Sequence, residues 1–239
     1  MIVTTKAIVI SSIKYGDNHL IVKCYTEKEG TKSYLLRGIL SSRKKQLKAA
    51  YFQPLTQLKI VTNHKSNQTL HSIKEARIEN HYTSLYIDIY KQAIVLFLSE
   101  VLNYSIQEEE ENTPLYYYLE SAFIWLDKNK SISNFHLIFL LNLTKHLGFY
   151  PDLNNSDQNY FDLSEGYFTN KLPKFNFIKG HDLVEFNKLL GINFDMIDLV
   201  KFNSKSRQQV LSILIQYYEL HLTGFRKPKS LEVLKALFH

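Results

Sequence analysis

The sequence predicts an α+β chain of two domains, a small closed β-barrel followed by an all-α helical region carrying one irregular insert. Three observations carry this. Five short segments rich in β-branched and aromatic residues fill the first eighty positions. From about His81 the apolar residues instead recur at helical spacing. Between Phe149 and Phe177 neither period holds.

The strands are expected at "KAIVISSI" (6–13), "HLIVKCYT" (19–26), "KSYLLRG" (32–38), "LTQLKIVT" (55–62) and "LHSIKEARI" (70–78). Turn residues in "YGDN" (15–18) and "KEG" (28–30) separate the first three. Five strands joined by one long connection fit a closed barrel better than a sandwich, which needs about seven. Cys24, the sole cysteine, is expected as a small buried hydrophobe and excludes an intramolecular disulfide.

Residues 84–105 lack Gly and Pro and predict a helix with Ser84 as N-cap. Further helices are expected at 115–128, at 134–147 (ended by Gly148 and Pro151), at 206–222 and from about Leu231. In the fourth, Val210, Ile213, Leu214, Tyr217 and Tyr218 mark one buried face. "EEEE" (108–111) reads as a solvated interhelix loop without chemistry. The domains are therefore expected at 1–80 and 81–239, with the insert at about 149–178.

Charge is divided unevenly. Residues 1–80 hold fourteen Lys/Arg against five Asp/Glu, and residues 81–239 hold fifteen against eighteen. No carboxylate occurs from Gly30 to Lys74, a window with nine Lys or Arg. Ordinary surfaces mix the signs, so this pattern points to a polyanion. "SSRKKQLK" (41–48) reads as a phosphate-tracking arm, expected to be mobile until bound. The expected nucleic-acid-binding set, for DNA on the resemblance given below, is Lys32, Arg37, Arg43, Lys44, Lys45 and Lys48, with Tyr34 and Tyr51 as exposed stacking rings and Phe52 either core or surface. If about five phosphates are engaged, log K falls with log salt at a slope near −3.5 to −4.5. A second basic group comprises Lys201, Lys205 and Arg207 before the fourth helix and Arg226, Lys227 and Lys229 after it.

No catalytic residue is identified. The eight glycines form no phosphate-binding loop, the nine histidines stand singly, and no nucleophile motif occurs. His136 and His146 read as packing or surface residues, and Asp195 with Asp198 as acids at a helix start. No cofactor and no metal is expected. The longest apolar runs are too short for a membrane span, and the N-terminus is not built as a signal peptide, so a cytoplasmic location is expected.

Several separated stretches resemble the bacterial recombination mediator family RecO: 5–30, 33–55, "HLGFYPDL" (146–153), "YFDLSEGYF" (160–168) and "YYELHLTGFRKPKSLEVL" (217–234). The resemblance implies an OB-fold N-terminal domain and a bacterial, nucleoid-associated protein without ATPase activity. It implies binding of single- and double-stranded DNA, strand annealing, and help in loading RecA onto DNA coated by single-strand-binding protein. The implied partners are RecR and the C-terminal tail of the coating protein. Candidate tail contacts are Lys145, Arg226, Lys227 and Lys229. Many relatives carry four zinc-binding cysteines in the insert. This chain has none there, so the region reads as a degenerate zinc finger held by Tyr160, Phe161, Tyr167 and Phe168 around Gly166. Two other classes fit the same residues: an OB-fold RNA-binding factor, and an adaptor that grips an acidic peptide without binding DNA. A metal-dependent nuclease is a more distant third.

Overall fold

In the computed structural model, residues 2–41, 47–64 and 68–238 are described. Strands β1 (Ile2–Tyr15), β2 (His19–Thr26), β3 (Gly30–Leu36), β4 (Gln57–Asn63) and β5 (Leu70–Ile78) form a closed barrel in the order β1-β2-β3-β5-β4. All pairings are antiparallel except β3 with β5, which run parallel. That order, with one parallel pair closing a five-stranded Greek-key barrel, is the OB-fold.

Period-two alternation fills the interior. Leu20, Val22 and Cys24 of β2, Tyr34 and Leu36 of β3, and Leu58 and Ile60 of β4 share one core. Burial pushes the Cys24 thiol far above its usual range, so this cysteine is an inert apolar filler. β1 is buried on both faces. Ala7 and Val9 join the interior, while Ile8 and Ile10 are buried outside it. The helix over Ile89–Ser105 packs on this strand, which explains why "KAIVISSI" reads as a nearly continuous apolar run.

The helices are α1 (Ile89–Ser105), α2 (Thr113–Lys128), α3 (Phe135–Leu147), α4 (Gly180–Asn187), α5 (Ser204–His221) and α6 (Leu231–Leu237). α1 begins later than expected. Its cap is Asp88, whose carboxylate accepts from the amides of Tyr90 and Lys91. Ser84 is instead drawn to Asp127. The Asp127 carboxylate accepts the amides of Thr83, Ser84 and Leu85 at 2.8–3.0 Å, and Ser84 Oγ donates to the Asp127 carbonyl. Desolvation alone would raise the Asp127 pKa, but these backbone hydrogen bonds outweigh it and hold the group ionised. Lys91 Nζ donates to Ser84 Oγ at 2.6 Å and to the Asp127 carbonyl at 2.8 Å. At the other end of α1, Lys23 from β2 donates to the carbonyls of Asn103 and Ile106, filling acceptors that a helix end leaves open.

The chain forms two compact units, residues 1–128 and 129–239. The barrel, α1 and α2 make up the first, so the units do not divide where strands give way to helices. Tyr82 and Tyr86 clamp the intervening segment to the barrel by donating to the carbonyls of Leu55 and Pro54.

The "EEEE" loop is not merely solvated. Thr31 donates its amide to the Glu108 carbonyl at 2.9 Å, so the loop lies along the start of β3. Gly30, in the left-handed region at φ +61°, permits this approach, because an added Cβ would meet the Glu108 carbonyl at 2.7 Å and collide with that of Glu110.

In the second unit the insert is more ordered than its composition suggests. β6 (Tyr160–Asp162), β7 (Tyr167–Thr169) and β8 (Phe177–Lys179) form a three-stranded antiparallel sheet in the order β7-β6-β8. The ring cluster beneath it corrects the expected foursome. Phe161 and Phe168 are buried, and Phe161 meets Phe168, Phe186 and Tyr217 at centroid distances of 4.9–6.0 Å. Tyr167 is 44% exposed and Tyr160 half-buried, because alternation turns both away from that cluster. The thiolates a zinc finger uses are absent from this sheet, and phenyl rings fill its buried face. Helix α4 had no clear sequence signal. Among the described residues no helix is long and apolar enough to cross a membrane.

Candidate nucleic-acid interface

Barrel closure and charge meet at one place. Among the described residues, β3 and β5 pair through Ser33 with Leu70 and Tyr34 with His71. Beside this seam lies an open groove of about 760 Å³, lined by Leu35, Arg37, Ile39 and Leu47 on one side and by Leu70, Ile73 and Lys74 on the other. Asn63, Gln68, His71 and Ser72 complete a lining that mixes polar and apolar groups, and its charged residues, Arg37 and Lys74, are both cations, a combination suited to bases and phosphates.

Arg37 and Lys48 stand exposed at the two described ends of the basic connection, and Arg37 lines the groove. Lys48 Nζ lies 6.0 Å from the Tyr51 ring centre, and Tyr51 is half-buried against the barrel core. Arg43, Lys44 and Lys45 fall outside the described residues. Lys74 had not been singled out. It occupies a β-bulge, because Val61 pairs with Glu75 while Thr62 pairs with Ile73, and it lines the groove. Bulges re-aim a side chain in this way. The available signal was its position at the end of the carboxylate-free window.

Two of the expected contacts need correcting. Tyr34 is fully buried, since it shares the inward parity of Leu36, and it offers no ring face to a base. Its hydroxyl lies 3.0 Å from His64 Nε2, and burial raises its pKa far above the usual range. Lys32 is not a free cation. Its ammonium is 2.9 Å from Glu109 of the acidic loop, and only 15% of its side chain is exposed. The hydrogen bond from Lys32, followed by its charge, holds the Glu109 carboxyl below the usual range. Phe52 is a core residue.

Next to Lys32, the rings of His64 and His71 lie 4.6 Å apart, and His64 contacts Glu29. Burial first, then neighbouring positive charge, lowers the pKa of His71. Burial likewise outweighs Glu29 at His64, so both rings are neutral near pH 7. Among the described residues no group of three or more His, Cys, Asp or Glu is arranged to hold a metal ion.

In the second unit, Lys145 closes the last turn of α3, where a cation complements the helix dipole. Its Nζ stands 4.5 Å from the Tyr150 ring centre, and partial burial lowers its pKa. Arg226, Lys227 and Lys229 are exposed in the connection after α5. This connection starts beside α3, because Phe225 packs on Tyr218, whose hydroxyl donates to the Leu140 carbonyl at 2.7 Å. Arg207 leaves the surface set. It donates to Asn134 Oδ1 and to the carbonyls of Phe238 and Phe202 and serves as an internal clasp.

Comparison with known proteins agrees with this architecture. The family model "Recombination protein O N terminal" matches residues 1–82, and "Recombination protein O C terminal" matches residues 87–232. The chain is 48% identical over 238 residues to the DNA repair protein RecO of Flavobacterium psychrophilum and 47% identical to that of Christiangramia forsetii. It is 38% identical over 242 residues to the RecO of Bacteroides fragilis. In all three pairs the alignment covers the whole of both proteins. With both halves matched by the family's models and relatives aligned end to end, the chain belongs to the RecO family of DNA repair proteins.

Proposed function

We propose that the chain is a non-enzymatic recombination mediator that binds single- and double-stranded DNA along the barrel groove and anneals complementary strands. The observation that carries this reading is the groove at the β3–β5 seam, flanked by a connection with no carboxylate and lined by the cations Arg37 and Lys74. Two strands held on one cationic surface repel each other less, so annealing follows from charge neutralisation and needs no nucleotide hydrolysis. The described cations contribute alongside Arg43, Lys44 and Lys45, while Tyr51 lies beside Lys48.

On this reading the barrel within residues 1–80 engages DNA, and the helical region within 81–239 engages partners. RecR and the acidic, apolar C-terminal tail of single-strand-binding protein are the partners, and RecA loading on coated DNA is the outcome. Lys145, Arg226, Lys227 and Lys229 supply the cations that such a tail requires. The protein acts in the bacterial cytoplasm at the nucleoid.

The test is annealing of two complementary labelled oligomers precoated with the cognate single-strand-binding protein, with and without that protein's C-terminal tail. Tail-dependent annealing without ATP is expected. Arg43→Glu/Lys44→Glu/Lys45→Glu should weaken binding to naked oligomers and flatten its salt dependence by about 2 units of slope. A folded protein that fails to anneal even naked strands would return the chain to an adaptor or RNA-binding role.

A further inference from the structure

The insert carries a second acid-free stretch. From Gly166 to His181 the chain holds Lys171, Lys174 and Lys179 and no Asp or Glu. Within it, residues 171–175 ("KLPKF") form a short arch that places its apolar side chains outward. Phe175 is 77% exposed and Leu172 58%, and Lys171 and Lys174 are exposed beside them. No other described ring packs on Phe175. Water-facing phenylalanine of this extent has no role in the core of the unit.

The arch is held from both ends. At its start, Asn170 Oδ1 accepts from the amide and the side chain of Asn159 at 3.1 and 3.0 Å. At its end, Asn176 sits in the left-handed region at φ +51°. Its carbonyl accepts from the Leu163 amide at 2.7 Å, its Nδ2 donates to Ser164 Oγ at 3.2 Å, and its Oδ1 accepts from Gln216 at 3.4 Å. Pro173 restricts the middle. Phe175 is thus presented by a backbone fixed in advance, which lowers the entropic cost of using it.

An exposed aromatic ring beside Lys171 and Lys174, on a segment with no carboxylate, matches the requirements of single-stranded nucleic acid. The ring stacks on a base, and the ammonium groups take the flanking phosphates. Three lysines and no carboxylate over 166–181 favour a polyanion as the ligand of this ring. We propose that the insert is a second single-stranded DNA contact, in which Phe175 stacks on a base and Lys171 and Lys174 engage the adjoining phosphates. The choice of ligand rests on the DNA-binding reading above, whereas the residues belong to the second unit and none of them lines the barrel groove.

The experiment measures binding of a long oligo-dT to the full chain as wild type, as Phe175→Ala, as Phe175→Trp and as Lys171→Glu/Lys174→Glu, beside the barrel variant Arg43→Glu/Lys44→Glu/Lys45→Glu. Phe175→Ala should weaken binding by about fivefold to a hundredfold with the salt slope unchanged, and Phe175→Trp should restore it. Lys171→Glu/Lys174→Glu should flatten the slope by about 1.4. Bromodeoxyuridine-substituted oligomers should photocrosslink to the 171–175 peptide. Wild-type and Phe175→Ala proteins that bind oligo-dT equally, while the barrel variant is impaired, would overturn this site and leave the barrel reading intact. A Phe175→Ala defect confined to protein-coated DNA would assign the arch to a protein partner and overturn it too. Absence of any oligo-dT binding by the wild type would overturn both.

Discussion

Glu109→Gln removes the negative end of the 2.9 Å pair that holds Lys32 against the acidic loop. Because Glu109 is 72% exposed, its loss should change stability by no more than about 1 kcal/mol. The larger effect falls on DNA. A released Lys32 adds one cation to a site next to the barrel seam, and each phosphate neutralised on single-stranded DNA adds about −0.7 to the slope of log K against log salt. Between 1 M and about 0.15 M salt, that slope amounts to about 0.6 decades, so binding should tighten about fourfold near physiological salt. Fluorescence anisotropy of a labelled oligomer over a salt series reads both quantities. Lys32→Ala should be nearly silent in the wild-type background and should cancel the gain in the Glu109→Gln background. Equal slopes for wild type and Glu109→Gln would show that Lys32 does not reach a phosphate, and the pair would then be structural only.

Two further outcomes concern stability. Asp127→Asn keeps the shape but removes the charge that collects three backbone amides, and it should cost about 2–4 kcal/mol, seen as a lower urea midpoint. His136 is buried, and burial, helped by Arg207, pushes its pKa down to about 3. It stays neutral in the fold while the unfolded chain takes up a proton near the usual histidine value. Its contribution is therefore complete above about pH 6.5 and lost as pH falls below it, at about 1.4 kcal/mol per pH unit. Urea titrations at pH 7, 6 and 5 should show this slope, and His136→Leu should reduce it. An unchanged slope in that variant would place the proton uptake elsewhere.

The strands and most helices were legible because one face of each is buried, and burial writes a period into the sequence. β2 and β4 show it cleanly: Leu20, Val22 and Cys24, then Leu58 and Ile60, all point inward. Features set by distant partners were not legible. Ser84 and Asp88 are both good caps, and only the presence of Asp127, 43 residues away from Ser84, decides which one the helix uses. Lys32 resembled its basic neighbours until the acidic loop, 77 residues on, was found beside it. Tyr34 lies close to Lys32 and Arg37 in sequence, yet strand parity places it in the core. The insert's short strands, three residues each, are too brief to display a period at all.

A barrel that closes through two residue pairs is a hoop with one thin joint. β1 holds β4 along seven consecutive pairs, whereas among the described residues two pairs, Ser33–Leu70 and Tyr34–His71, complete the ring on the opposite side. Amide hydrogens at Leu70 and His71 should therefore exchange well before those of the β1–β4 ladder. The groove borders this joint, so a ligand lodged across β3 and β5 acts as a brace and slows the exchange. Occupancy would then be readable from the stiffness of the ring, without any label on the DNA.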